Sequence, residues 1–480
     1  MPVRLIVLAA GKGTRMKSAL PKVLHRLAGK PLLAHVIDTG VSLEPASITV
    51  VIGHEAETVR ETIERERAAH AVSDAGSGPE ATPIRWALQD EQLGTGHAVR
   101  QGLDGIDADD TVLITYGDVP LTRASTYRAL IDACAADTLG LLTLMVEDPT
   151  GYGRVLREGG AVVGVIEQKD ASDDQLGIHE INAGVVAIRG GALVSLIGRI
   201  DDDNAQGEYY LTDIFALAVR DGLSIEAVHP QDGWEVDGVN SRVQLARLER
   251  LHQANLAEAL MEDGVTLADP ARLDVRGTLE CGTDVEIDVN CVFTGRCRLG
   301  SNVRIGPGCT LADCTLGDGV TVHANSVLEG AEVGERASVG PFARLRPGTR
   351  LAAETRIGNF VEIKNATLGT GSKVNHLSYV GDSEVGTGTN VGAGTITANY
   401  DGANKHRTMI GDDASIGSNT VLVAPLSVGD GATVGAGSTI TRDVAPRALA
   451  LTRAERRDHE DWPRPTKKGS VRGESVKGRP

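Results

Sequence analysis

The apolar residues of this chain change rhythm part-way along it. In the first half, Val3 to Leu8, Ile48 to Ile52, Thr111 to Tyr116 and Leu139 to Val146 are short, almost wholly apolar runs. Runs of this kind predict strands buried on both faces, as in a parallel sheet covered by helices. Helical periodicity lies between them, over Glu55 to Ala69 and Arg123 to Ala136. The alternation predicts a doubly wound, Rossmann-like α/β domain whose ligands bind beyond the C-terminal ends of its strands. His70 to Pro83 is rich in Gly, Ser, Ala and Pro and predicts an exposed loop. Ser241 to Glu262 predicts a connecting helix, with Val243, Leu248, Leu251, Leu256 and Leu260 among its apolar positions.

Beyond about residue 273, an aliphatic residue followed by Gly recurs in multiples of about six. The pairs begin at Leu299-Gly300, Ile305-Gly306, Leu316-Gly317, Val333-Gly334, Val339-Gly340, Ile357-Gly358 and Leu368-Gly369. They continue through Val385-Gly386, Val391-Gly392, Ile410-Gly411, Ile416-Gly417, Val428-Gly429 and Val434-Gly435. This hexapeptide repeat predicts a left-handed parallel β-helix, three units to a triangular coil and roughly nine or ten coils in all. The aliphatic residue fills the interior, and the glycine is expected to let the backbone turn the corner. Gly394 to Arg407 breaks the period and predicts a protruding loop; the basic tail from Arg453 loses the repeat and is expected to end in disorder. The domain scheme is therefore residues 1–240, a helix at 241–262, the β-helix at 263–453 and a tail at 454–480.

Composition narrows the function. A length of 480 residues calls for more than one core. Aromatics at only 3% suit a narrow coil interior, and a formal charge of -17 disfavours nucleic acid as a partner. No apolar run approaches the roughly 20 residues of a membrane span. Val3 to Ala10 runs into Gly11 without a cleavage pattern, so a cytoplasmic protein is expected. Five of the six cysteines lie between Cys281 and Cys314, but no Cys-x-x-Cys pair exists, so reduced core residues are expected rather than zinc ligands.

Two regions carry candidate chemistry. Leu8 to Met16 is a glycine-rich turn directly after the first strand, where backbone N–H groups can approach phosphates. It matches neither the Walker motif nor the dinucleotide fingerprint, and alone it could be only a turn. Arg15 and Lys22 can neutralise a triphosphate, and the amides of Gln89 to Thr95 suit a nucleobase edge. Asp118 follows a strand at the ligand edge, where a carboxylate holds Mg²⁺ or caps a helix. In the repeat, His376 stands where a coil needs nothing ionisable, although an isolated surface His is more often inert. Arg346 and Lys364 precede it by one or two coils and could hold a sugar phosphate, while Tyr379 and Asn390 could orient hydroxyls.

Leu8 to Met16, Tyr116 to Pro120, Gly151 to Arg154, Glu167 to Asp170 and Glu180 to Gly184 resemble the sugar-nucleotide pyrophosphorylases. Together with the repeat, residues 3 to 466 resemble the bifunctional N-acetylglucosamine-1-phosphate uridyltransferases and glucosamine-1-phosphate acetyltransferases. The resemblance implies that Leu8, Ala9, Ala10, Gly11, Lys22, Gln89, Gly94 and Thr95 hold a uridine nucleotide. Tyr116, Gly117, Gly153, Glu167 and Asn182 would hold nucleotide or sugar, and Asp118 with Asn240 would bind Mg²⁺. It also implies that His376 is a base, that Arg346, Lys364, Tyr379 and Asn390 bind glucosamine-1-phosphate, and that Ala393, Asn399, Tyr400, Ser418, Ala436 and Arg453 meet acetyl-CoA. Neighbouring subunits would complete that site in a homotrimer. The rival reading is a monofunctional pyrophosphorylase with a structural or regulatory β-helix; it leaves the Arg346, Lys364, His376, Tyr379, Asn399 and Tyr400 set without a purpose. A pure binding scaffold leaves the phosphate turn beside Asp118 unexplained.

Overall fold

The computed structural model describes residues 1–73, 82–452 and 455–463. The chain divides into two compact units, Met1–Thr315 and Leu316–Pro480.

The first unit is built on a sheet in the spatial order Ser224–Val228, Thr138–Met145, Glu180–Arg189, Thr111–Tyr116, Val3–Leu8, Ser47–Ile52 and Ile84–Leu88. The four expected strands are all present, within a residue or so of their predicted bounds. The sheet is mixed rather than parallel, because Glu180–Arg189 runs antiparallel to both its neighbours. A bulge between Asn182 and Val186 interrupts that strand, and the hairpin Arg154–Glu158 with Ala161–Ile166 attaches beside it. Helices cover both faces and form two apolar cores, one around Leu5, Val50, Leu113 and Tyr127, the other around Ile6, Ile114, Leu141 and Phe215. The helix Ala56–Ser73 extends into the segment expected to be a loop, and residues 74–81 of that segment lie outside the described residues.

The helix Arg242–Glu262 follows, capped by the Ser241 side chain, which accepts from the Gln244 N–H. Its buried positions are Leu248, Gln253 and Ala257, whereas Val243 is exposed. The parallel coils begin ahead of the first aliphatic–glycine pair: Thr266–Leu267 already pairs with Glu286–Ile287, and Leu273–Cys281 with Cys291–Leu299.

In the second unit the parallel ladder continues coil on coil; Arg344–Leu345, Glu362–Lys364, Tyr379–Gly381 and Ile396–Ala398 pair in succession along one face. Every aliphatic residue of the repeat pairs is buried across the two units, as a left-handed parallel β-helix requires. The glycines act differently from expectation. A Cβ on Gly358 would lie 1.9 Å from the Asn375 carbonyl oxygen, and one on Gly417 would lie 2.3 Å from the Ala436 nitrogen. Neither adopts the left-handed conformation, so these glycines allow neighbouring coils to stack closely. Left-handed positions are taken by Gly340 among the repeat pairs and, outside them, by residues such as Asn325, Phe342, Gly348, Phe360, Leu377 and Asn419. The break in the repeat is shorter than predicted, because Ile396–Ala398 remains a strand and Tyr400 bridges to Lys405 across a compact loop. None of the six cysteines is in a disulfide, five of them are buried, and no group of three or more His, Cys, Asp or Glu side chains that could hold a metal occurs among the described residues.

Candidate active sites

The first site lies at the C-terminal ends of the strands Val3–Leu8, Thr111–Tyr116 and Ile84–Leu88. A cavity of about 370 Å³ opens there, lined by Leu8 to Gly11, Lys22, Gln89, Gly94, Thr95, Tyr116 and Asp118. The turn is fixed at its base: Ala9 N–H donates to Val51 O (2.8 Å) and Gly117 N–H to Leu8 O (2.9 Å). Gln89 is buried and donates to Gly94 O (3.1 Å). Val23, Gln92, Ala98 and Glu208 complete the lining. Gln92 stands in the amide-rich stretch already singled out, and it donates to Ala10 O (2.6 Å). Glu208 carried no local signal; it comes in because Tyr209 N–H donates to Leu93 O (2.8 Å) and brings its loop against Gly94.

Asp118 and Asn240, distant in sequence, converge on one point. Lys22 Nζ donates to Asp118 Oδ2 and to Asn240 Oδ1 (3.1 Å). Two oxygen donors thus gather round one cationic centre, the kind of set a hard divalent cation takes. Asp118 is held there because Val239 N–H donates to its backbone oxygen (2.9 Å).

A second group sits outside the cavity lining. Asn182 N–H donates to Gly153 O (2.9 Å), and Asn182 Oδ1 accepts from Gly184 N–H (2.8 Å). Glu167 accepts from the Thr212 hydroxyl (3.0 Å), and burial raises its carboxyl above the usual range. Burial also pushes the Tyr116 phenol upward, with Glu167 and Asp118 adding to the shift, so these groups share one electrostatic neighbourhood. Arg15 is exposed on the short turn Thr14–Met16 and does not line the cavity.

The second site lies on the β-helix. His376 is exposed, and its Nδ1 donates to Oδ1 of Asn359 (2.9 Å), its register partner in the preceding coil. This leaves Nε2 as the basic nitrogen. Arg346 donates to Glu362 Oε1 (2.9 Å), and Glu362 pairs in register with Tyr379. The neighbouring Lys405 lowers the pKa of Lys364, Arg346 acting in the same direction and Asp382 against it. Three cationic side chains, Lys364, Lys405 and Arg346, therefore share one neighbourhood. Asn399 is buried and donates from Nδ2 to Tyr379 Oη (3.4 Å), while Tyr400 is exposed. Asn390 is exposed on the strand paired with Lys373–His376. Ala393 and Ser418 lie on successive coils, since Asn419 N–H donates to Ala393 O (2.7 Å) and Gly437 N–H to Ser418 O (2.8 Å), which also places Ala436. Arg453 lies outside the described residues. Asn359, Glu362, Asp382 and Lys405 are additions to the expected set.

The MobA-like NTP transferase domain model matches residues 5–157, and the bacterial transferase hexapeptide model (six repeats) matches 297–330 and 407–442. The chain is 52% identical over 469 residues to the bifunctional protein GlmU of Paraburkholderia phytofirmans, covering 98% of this chain and 100% of that one. This chain belongs to the GlmU family. The GlmU of Stutzerimonas stutzeri is 54% identical and that of Burkholderia thailandensis 53%, with the same coverage of each chain. A GlmU chain is bifunctional, which agrees with two separate sets of polar residues, one on each fold.

Proposed function

We propose that this bifunctional uridyltransferase and acetyltransferase makes UDP-N-acetylglucosamine in two steps, each in its own domain. Acetyl-CoA first acetylates glucosamine-1-phosphate on the β-helix; UTP and the resulting N-acetylglucosamine-1-phosphate then react in the α/β cavity. The observation that carries this reading is the pairing, in one chain of the GlmU family, of a phosphate-turn cavity with a β-helix that bears both the exposed His376 and the Arg346, Lys364 and Lys405 cations. The boundaries at residues 240, 262 and 453 are the working domain scheme.

In the uridyl step, the sugar phosphate oxygen attacks the α-phosphorus of UTP and pyrophosphate leaves. The nucleophile is already anionic, so the protein needs to align and neutralise rather than deprotonate. Ala10 and Gly11 offer backbone N–H groups, with Leu8 and Ala9 lining the pocket beside them, Gln89 and Gly94 face the base, and Glu167 and Asn182 face the sugar. Asp118 and Asn240 would hold Mg²⁺, which neutralises phosphate charge when bound. Lys22, which lies between those two side chains, and Arg15 would turn to the phosphates.

In the acetyl step, the glucosamine nitrogen attacks the thioester carbonyl carbon. The N–C bond forms, the C–S bond breaks, and coenzyme A leaves as the thiol. His376 Nε2 takes the proton from nitrogen and can return it to sulfur. Arg346 and Lys364 would hold the sugar phosphate.

A homotrimer completes the proposal. Its support is an apolar corner beside His376: Phe342 and Phe360 stack at 5.5 Å, and together with Leu377 they are half or more exposed. Burying such a ladder against a second copy of the chain would remove it from water. The test is to supply the purified chain with UTP, acetyl-CoA, glucosamine-1-phosphate and Mg²⁺. Coenzyme A and pyrophosphate should both appear; pyrophosphate release from N-acetylglucosamine-1-phosphate without any acetyl transfer would favour the monofunctional reading.

A further inference from the structure

The polar residue tied most closely into the β-helix site is one to which the family resemblance gives no part. Asp382 is buried, 7% exposed, and sits in the left-handed conformation just after the strand Tyr379–Gly381. Its backbone is held from both sides: its N–H donates to Lys364 O (3.0 Å), and its carbonyl accepts from Thr408 N–H (3.2 Å). Its two carboxylate oxygens are divided between two amides. Oδ1 accepts from Asn365 Nδ2 (2.6 Å) and Oδ2 from Asn399 Nδ2 (2.5 Å).

A carboxylate accepts hydrogen bonds and donates none. The Asn399 amide therefore has one permitted orientation, with its NH₂ group toward Asp382. Its carbonyl oxygen must face away from the carboxylate. Tyr379 Oη, 3.4 Å from the same Nδ2, limits rotation further. Asn399 is itself 7% exposed, so little water is available to satisfy the reversed amide.

We propose that Asp382 is a positioning residue for acetyl transfer: it pins Asn399 so that this residue presents a hydrogen-bond acceptor, not a donor, to the attacking amine. The inference rests on the acetyltransferase reading of the site. Its chemical sense lies in the nitrogen. As the N–C bond forms, nitrogen gains positive charge and its N–H groups become stronger donors. One proton is His376's to take; a second N–H needs an acceptor, and a reversed Asn399 would point an NH₂ group at it instead.

The experiment measures coenzyme A release in the full-length chain, with the far-ultraviolet circular dichroism and thermal unfolding of the β-helix on the same preparation as the control for folding. Asp382→Ala should lower kcat for acetyl transfer by about 10- to 100-fold, the range for one hydrogen bond to a charged group. KM for glucosamine-1-phosphate should change by less than about threefold, since Arg346 and Lys364 are untouched. Asp382→Asn keeps an acceptor oxygen for Asn399 and should retain most of the activity. Asn365→Ala removes the other amide on the same carboxylate and should stay within about threefold of the wild type. The double variant Asp382→Ala with Asn399→Ala should be no slower than Asn399→Ala alone, because the carboxylate acts through that amide.

Wild-type kcat in Asp382→Ala overturns the inference, as does an equal loss in Asn365→Ala, which would assign the carboxylate to coil structure. If Asp382→Ala does not fold, Asp382→Asn decides: loss of acetyl transfer with the circular dichroism and unfolding midpoint of the wild type means that charge, not the acceptor, matters, and the proposal falls. A wild-type chain that releases no coenzyme A from glucosamine-1-phosphate overturns the acetyltransferase reading itself, a result distinct from any of these.

Discussion

The residues that bear the proposed chemistry are held by partners far away in sequence, and this decides what single substitutions should do. Asp118 has one oxygen on Lys22 and its backbone tied to Val239, so Asp118→Asn keeps the shape of the site and removes one charge. Pyrophosphate release at saturating Mg²⁺ should fall by at least about 100-fold, with acetyl transfer unchanged; near-normal release would remove Asp118 from the metal site. His376 has Asn359 fixing its tautomer and stands exposed. His376→Ala should lower kcat for coenzyme A release by about 10²- to 10⁴-fold, the usual contribution of a general base, with pyrophosphate release unaffected. A drop under threefold would exclude the base role. His376 could be picked out from the sequence because an ionisable group interrupts an aliphatic repeat. Asp382 and Lys405 could not, because acidic and basic residues are ordinary on coil surfaces. Their importance depends on which residues the neighbouring coils bring alongside. Coil length is not constant enough to compute this from the sequence: Lys373 pairs with Asn390, whereas Ser383 pairs only with Thr408.

Elements were legible where burial imposes a period. Val3–Leu8 and Thr111–Tyr116 are buried on both faces, and the repeat's aliphatic residues all point inward, so apolar spacing alone places them. Glu180–Arg189 was not legible as a strand, because its first half carries Glu180, Asn182 and Gly184 at the site edge and a bulge resets its register. The helix Arg242–Glu262 was found, but apolar spacing could not show that Gln253 is buried; its amide bonds both ways with the Val275 backbone, at 2.8 Å each. Another contact of this helix predicts acid sensitivity. His252 lies edge-on to His35 of the helix Leu32–Val41, ring centres 5.6 Å apart, and His35 Nε2 donates to Leu27 O (2.9 Å). Burial, with smaller pushes from Lys30 and His252, lowers His35 from 6.5 to about 4. The folded state thus prefers the neutral ring. The stability this confers is complete above pH 6.5 and is lost as pH falls from 6.5 toward 4, on the order of 3 kcal/mol in all. The unfolding midpoint of the first unit should fall across that window, and His35→Gln, which keeps a donor but does not titrate, should flatten the slope. An unchanged slope would show that other groups control acid unfolding.

For the molecule as a whole, assembly and divisibility are the open quantities. An exposed Phe342, Phe360 and Leu377 corner beside His376 favours association of the chain with its own copies, and a cyclic trimer of 50.3 kDa chains should scatter light as about 150 kDa. A monomer with full acetyltransferase activity would refute a site shared between subunits. Divisibility follows from where the first compact unit ends. Every residue proposed for uridyl transfer, Asn240 included, precedes Glu262, so a fragment stopping there keeps the whole site. Yet that unit extends to Thr315, and the helix Arg242–Glu262 uses its first coils as a packing surface. Cutting at Glu262 strips Gln253 of both Val275 hydrogen bonds and Arg250 of its Asp274 partner at 2.6 Å. A loss of about 1–3 kcal/mol is expected from those contacts, roughly 2–4 °C in unfolding midpoint for each kcal/mol at this size. A fragment of residues 1–315 should therefore melt several degrees above one of residues 1–262. Both should release pyrophosphate from UTP and N-acetylglucosamine-1-phosphate at similar rates, and neither should release coenzyme A, since both end before Arg346. Equal melting of the two would mean that the helix needs no β-helix surface; a folded 1–262 fragment without uridyl transfer would mean that the catalytic cavity itself depends on those coils.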